Sequence, residues 1–225
     1  MIHAAYDFSQ THPSSISRVN VDGSRVLLAA AREAGVERIV LVSTIAAFPG
    51  TRSLYGRAKL EIEQAAIESG SAIVRPGLVW GAEGAAVFGA LQRAVTRLPV
   101  VPLPAPADFE ITLVHETDLA LLVGRLLESW PAGSGELFVA ASQQRLQFAD
   151  LLDSLAQRAG RHPRFLRLPW RPVWLGLRAL EALGVRPPFR SDSLLSLLAS
   201  DRDPLARATA PATAYGVTFR PFQPA

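Results

Sequence analysis

Tyr55 and Lys59 stand four residues apart in the string YGRAK, so a helix would project both side chains from one face. Lys59 is the single lysine among 23 basic residues; every other one is arginine. The two residue types carry the same charge, but only lysine offers a compact ammonium whose pKa shifts readily. A phenol beside an ammonium is a proton-transfer pair, the cation stabilising phenolate and lowering the tyrosine pKa. Thr44 ends the apolar run before this helix, where its hydroxyl could orient a substrate oxygen at the carboxyl edge of a sheet. Ser43 is the neighbouring hydroxyl that could substitute for it, although strand alternation is expected to turn it elsewhere.

The elements that would carry these groups follow from periodicity. IHAAY at the start, VERIVLVST and SAIVRPGLVWG read as buried strands of a parallel sheet. Helix patterns lie between them, about Val21–Ala34 stopped by Gly35 and about Leu54–Ser69 stopped by Gly70. Strands alternating with such helices predict right-handed βαβ crossovers. Further on, ALQRAVTRL reads as a helix, FEITLVHETDLALLVGRLLES as strand, turn and helix, GELFVAA as a strand and FADLLDSLAQRAG as a helix. From Arg161 to Pro188 the chain is rich in proline, tryptophan and arginine, with an amphipathic helix at about Val173–Leu183. That helix could lie on a membrane surface, but a lid over a pocket is the favoured expectation. From about Asp201 a loop-like tail is expected.

Composition narrows the function. An apolar fraction of 49% with 19% charged residues describes a globular protein, and the net charge is only +3. The arginines lack the aromatic interleaving of a nucleic-acid platform, so no nucleic-acid partner is expected. There are no cysteines and four histidines without ligand spacing, so no metal site is expected. With no signal-like start and no apolar stretch of spanning length, the expected compartment is the cytoplasm and no membrane partner is expected.

These blocks, in this order, resemble the extended short-chain dehydrogenase/reductases of the NAD-dependent epimerase/dehydratase type. The likeness rests on IHAA, NVDG with LLAAAREAGVERIVLVST, YGRAK, VRPGLVWG and VHETDLA. It implies an α/β fold: a partial Rossmann-type parallel sheet, its N-terminal strands missing, with a small C-terminal substrate lobe. Residues 1–160 would form a truncated NAD(P)-binding domain with some substrate-lobe insertions, and 161–225 the substrate or lid lobe. The resemblance makes Tyr55 the acid/base, Lys59 its ribose-binding partner, Thr44 the orienting hydroxyl and Asn20 a helix-shaping support of the lysine. Tyr55 and Lys59, with Ala4 and Ala5 under the dinucleotide and Pro76, Gly77 and Leu78 beside the nicotinamide, would contact NAD or NADP. Asp118 is expected to be a structural or capping acid and His115 a packed strand residue. A homodimer through the 21–34 and 54–69 helices is also implied.

Two departures qualify this picture. The family's opening strand, GxxGxxG turn and following strands are not in the sequence, so weak cofactor binding and an exposed edge at the first strand are expected. GAEGAAVFGA comes after the catalytic helix and is no substitute. A start codon placed too late is the expected explanation; a decayed copy or a shortened protein with a covered edge are the others. The interval from Thr44 to Tyr55 is also short for a sugar-nucleotide epimerase. The lobe after Arg161 would suit an apolar alcohol or, through its arginines, a diphosphate. The expected function is an NAD(P)-dependent oxidoreductase or epimerase acting on a hydroxyl or carbonyl; the alternative is an inactive remnant or regulatory binding module of the same fold.

Overall fold

The computed structural model describes residues 1–81, 86–105, 109–131, 135–185, 189–198, 201 and 203–223. Parts of two expected segments, GAEGAAVFGA and Arg161–Pro188, fall outside these residues. The framework is a four-stranded, wholly parallel sheet in the order β1, β2, β3, β8, formed by β1 (Ile2–His3), β2 (Val40–Val42), β3 (Ala72–Pro76) and β8 (Leu137–Ala140). β1 is an edge strand, and Ile2 is 52% exposed.

The first crossover is longer than its sequence pattern predicts. Helix begins at α1 (Pro13–Ile16), passes through a π-helical segment (Ser17–Asp22) and continues as α2 (Gly23–Glu33). The polar PSSI start hides this from a periodicity argument. What fixes it is Pro13 at the first turn and the His12 side chain accepting from Ser14 N. The second crossover is α3 (Leu54–Glu68), capped by Ser53 Oγ accepting from Gly56 N at 2.9 Å. Both crossovers lie on one face of the sheet, where Leu28, Ile39, Leu41, Ile62, Ala66 and Ile73 form one core. α5 (Glu116–Glu128) covers the other face, burying Leu122 and Leu126 against Val40, Val74 and Phe138.

The segment VRPGLVWG is not one strand. β3 ends at Pro76, and Leu78–Trp80 (β4) pairs instead with β7 (Leu113–His115) in a separate parallel ladder. Gly77 makes this change of sheet possible, since a Cβ there would come within 2.6 Å of Thr112 O. A third core joins α4 (Ala86–Arg97) and α6 (Phe148–Arg158) around Phe88, Val95, Leu151 and Phe222. β5 (Val100–Ala105) pairs in parallel with β10 (Arg164–Pro169), a strand its prolines and arginines conceal in the sequence. A short antiparallel pair joins β6 (Glu110–Ile111) to β9 (Leu146–Gln147). No turn separates β7 from α5, because His115 itself caps that helix through Nδ1, accepting from Thr117 N at 3.2 Å. α7 (Trp170–Ala182) and α8 (Ser191–Leu198) pack against each other, and α8 also meets α3. The tail is held rather than loose: Asp118 accepts from Arg220 N and from its guanidinium at 2.6 Å, and Val217 and Phe222 are buried.

Candidate active site

Thr44 follows β2, Tyr55 lies in the first turn of α3, and Pro76–Leu78 leave β3, so the βα order brings all three to one end of the sheet. Together they line a cavity of about 440 Å³. The Thr44 hydroxyl is close enough to the Tyr55 phenol to influence its ionisation. Burial is the larger influence on that phenol and pushes its pKa up to about 12, with Thr44 pulling the other way. This differs from the sequence expectation that Lys59 would lower it.

Lys59 is 2% exposed. Its ammonium donates to Val42 O at 2.9 Å and lies 5.4 Å from the centre of the Tyr6 ring. Burial lowers its pKa to about 8, against the pull of Glu63. The ammonium thus sits behind Tyr6 and is not among the residues that line the cavity. Between pH 8 and 10.5 the folded chain has released the Lys59 proton while the unfolded chain still holds it, so the folded state gains with rising pH. Wild type measured against Lys59→Met should therefore gain up to about 3 kcal/mol across that window, read by urea unfolding at several pH values. A pH-independent difference would show that Lys59 titrates normally.

Asn20 is buried inside the π-helical segment. Its Oδ1 accepts from Asp7 N at 2.6 Å and its Nδ2 donates to Asp7 O at 3.2 Å, which clamps the loop after β1. Ser24 Oγ donates to Asn20 O and pairs with His3 Nε2 at 2.8 Å. Asn20 thus supports the loop carrying Tyr6, while Lys59 bonds to Val42 O. Ala4 and Ala5 are exposed just past β1 and are not among the cavity-lining residues.

Several groups at the site escaped the sequence reading. Tyr6 and Phe8 pack on Tyr55 with ring centres 4.9 and 5.4 Å away. Asp192, on α8, accepts from Leu54 N at 2.7 Å and from Tyr55 N at 3.0 Å, satisfying open donors at the start of α3. Ser43, expected to face elsewhere, also borders the cavity; its Oγ donates to Glu63 Oε1 at 2.5 Å, and Arg75 binds Glu63 through Nε at 2.8 Å and Nη2 at 2.6 Å. All three are buried. Two signals announce this cluster: Glu63 lies one turn beyond Lys59 on the same helix face, and Arg75 interrupts an apolar strand where a charge requires a partner. The Asp192 contact, from 137 residues away, has no local signal.

The cavity wall is mainly apolar, with Ile45, Leu78, Val79, Phe88, Ile111 and Leu197 among its residues. Its charged groups among the described residues are four carboxylates, Glu110, Asp192, Asp201 and Asp203, against two guanidiniums, Arg145 and Arg190. Arg145 is paired with Glu110 at 3.3 Å and Asp203 at 3.6 Å, and Arg190 donates to Phe8 O and Gln10 O. No cluster of potential metal ligands occurs among the described residues.

Comparison with known proteins gives a consistent picture. The family described as "Polysaccharide biosynthesis protein" matches residues 3–186. Over 170 residues the chain is 30% identical to a ceramide reductase of Caulobacter vibrioides, covering 75% of this chain and 52% of the relative. It thus spans about half the length of that relative. Among solved structures, MoeE5 in complex with UDP-glucuronic acid and NAD is 17% identical with a TM-score of 0.68, over 98% of this chain and 74% of that one. The UDP-glucose 4-epimerase of Thermotoga maritima, bound to UDP-glucose, is 21% identical with a TM-score of 0.60, over 87% and 74%. The dTDP-glucose 4,6-dehydratase DesIV of Streptomyces venezuelae, with NAD and TYD bound, is 20% identical with a TM-score of 0.60, over 74% and 60%. At these identities the structural likeness speaks for the fold.

Proposed function

The chain belongs to the extended short-chain dehydrogenase/reductases of the NAD-dependent epimerase/dehydratase type, and on that premise we propose that it reduces a ketone on a substrate with an apolar chain. The observation that carries the reading is the Tyr55 phenol, which burial keeps protonated at neutral pH, on the wall of the cavity that Thr44 and Pro76–Leu78 also line. It can give its proton to a carbonyl oxygen, and the same group would take one up in the reverse direction.

In this reading a substrate carbonyl oxygen accepts a hydrogen bond from the Tyr55 phenol beside the Thr44 hydroxyl. Tyr55 passes its proton to that oxygen as the carbonyl carbon is reduced, and Thr44 keeps the oxygen in place. NAD(P)H, when bound, supplies the hydride. The residues present fit its nicotinamide end, since Pro76, Gly77 and Leu78 border the same cavity as Tyr55. Tyr55 would border the adjoining ribose, while Lys59, buried behind Tyr6 on Val42 O, does not reach the cavity in this arrangement. Tyr6 and Phe8 cover the phenol from the side of β1 and help exclude water.

The apolar substrate is favoured by the charges around the cavity. Arg145 and Arg190 already have oxygen partners there, and the carboxylates are occupied as well, Asp201 by Arg207 at 2.6 Å and Asp192 by backbone donors of α3. Among the described lining residues no guanidinium is left to clamp a nucleoside diphosphate. The ceramide reductase relative supports the same substrate class. The test is NAD(P)H consumption with a long-chain ketone and with UDP-glucose. Turnover of the ketone alone is expected; turnover of the nucleotide sugar alone would overturn the reading.

A further inference from the structure

We infer that α7 is a docking surface for an anionic phospholipid bilayer. A helix on the outside of a globular protein normally turns its apolar stripe inward and its charges outward. α7 does not, and none of its residues is buried. Trp170, Val173, Trp174 and Leu177 face the body of the protein and are half-buried. The opposite stripe, Pro172, Leu175, Ala179 and the following Leu183, is apolar too. Leu175 is 59% exposed and Leu183 is 80% exposed.

Charge identifies the occupant. Arg171 and Arg178 stand one above the other at the flank of this stripe, each guanidinium 5.7 Å from the ring of Trp170 or Trp174 respectively. The strand leading into the helix, β10, adds exposed Arg164 and Arg167 beside Leu166, which is 50% exposed. From residue 158 to 185 the only acid is Glu181, and its carboxylate is occupied by Ser191 N at 2.8 Å and Ser191 Oγ at 2.6 Å. Apolar side chains outermost, tryptophans beneath and arginines at the flank suit a helix lying at the boundary of headgroups and acyl chains. Anionic headgroups complement the arginines, each worth about 1 kcal/mol near such a surface. From this lobe the cavity is bordered by Arg190, by α8 and by residues of the segment from Asp201 to Leu205, and by none of α7. The outer face of α7 is thus left for the bilayer. Because α8 packs on α7 and holds the N-terminus of α3 through Asp192, docking would set the cavity wall beside the membrane surface.

The test is vesicle binding by the 225-residue chain, read as a blue shift of tryptophan emission and as co-sedimentation, with phosphatidylglycerol/phosphatidylcholine vesicles against phosphatidylcholine alone. Binding is expected to the anionic vesicles, weakened several-fold as salt rises from 50 to about 500 mM. Leu175→Glu/Leu183→Glu should weaken it at least tenfold, and Arg171→Glu/Arg178→Glu should abolish the preference for anionic lipid. Both pairs are exposed, and unchanged circular dichroism and thermal midpoint would confirm that they fold. No binding to either vesicle, binding untouched by both double variants, or self-association that the leucine variants abolish in the absence of lipid would overturn the proposal. The readout needs neither cofactor nor turnover, so its failure would leave the catalytic reading standing.

Discussion

Replacing Tyr55 with phenylalanine is expected to lower kcat/KM for ketone reduction by about 10²–10⁴-fold, the usual contribution of a positioned proton donor. The ring contacts with Tyr6 and Phe8 do not need the hydroxyl, so the thermal midpoint should change little. Both parts matter. A variant that loses activity and stability together would mark Tyr55 as a packing residue, and a variant with full activity would remove it from the chemistry. The loss should fall mainly on kcat, because the proton is given up only as the carbonyl is reduced.

The second large effect concerns stability. Glu63→Ala is expected to cost about 3–5 kcal/mol, because it strands the buried Arg75 guanidinium without its carboxylate. Arg75→Ala should cost a similar amount from the other side. Removing both charges together with apolar residues of similar volume should be far less harmful than either single change. Urea unfolding of the four proteins checks this. Single-variant losses that simply add in the double variant would show that the pair, though 2.6 Å apart, does not act as a unit. The pair ties α3 to β3, and Ser43 adds the end of β2, so the helix that carries Tyr55 is fixed to both strands below the cavity.

The contrast between these two predictions reflects what the sequence makes legible. Apolar runs and helix periods locate β2, α3 and β3, and their order alone brings Thr44, Tyr55 and Pro76 to one end of a parallel sheet. Local patterns do not reveal what the cavity walls are made of. Tyr6 and Phe8 reach the site from a loop with no periodicity, and Asp192 reaches it from a helix far along the chain. The environment of Lys59 is hidden for a related reason: spacing shows that it shares a face with Tyr55, whereas burial, which only the packed structure reveals, dominates both pKa values. β10 carries no strand pattern, because its prolines and arginines are tolerated in an exposed strand pairing with β5 alone. α7 was recognised as amphipathic, but its outward apolar stripe becomes evident only when the inner side is known.

The edge position of β1 fits the expectation drawn from the sequence. Helices α2 and α3 cover one face, α5 the other, and the cores on both faces are continuous. Val26 on α2 is 69% exposed and Leu27 is 41% exposed, on the helix expected to meet a second copy.

The most direct test of the central claim is to follow deuterium from NAD(P)H labelled at the nicotinamide C4 into a long-chain ketone. The account predicts deuterium on the carbinol carbon of the product with wild type and a trace at most with Tyr55→Phe. Product unlabelled with either stereoisomer of the labelled cofactor, or labelling that proceeds equally well without the Tyr55 hydroxyl, would contradict it.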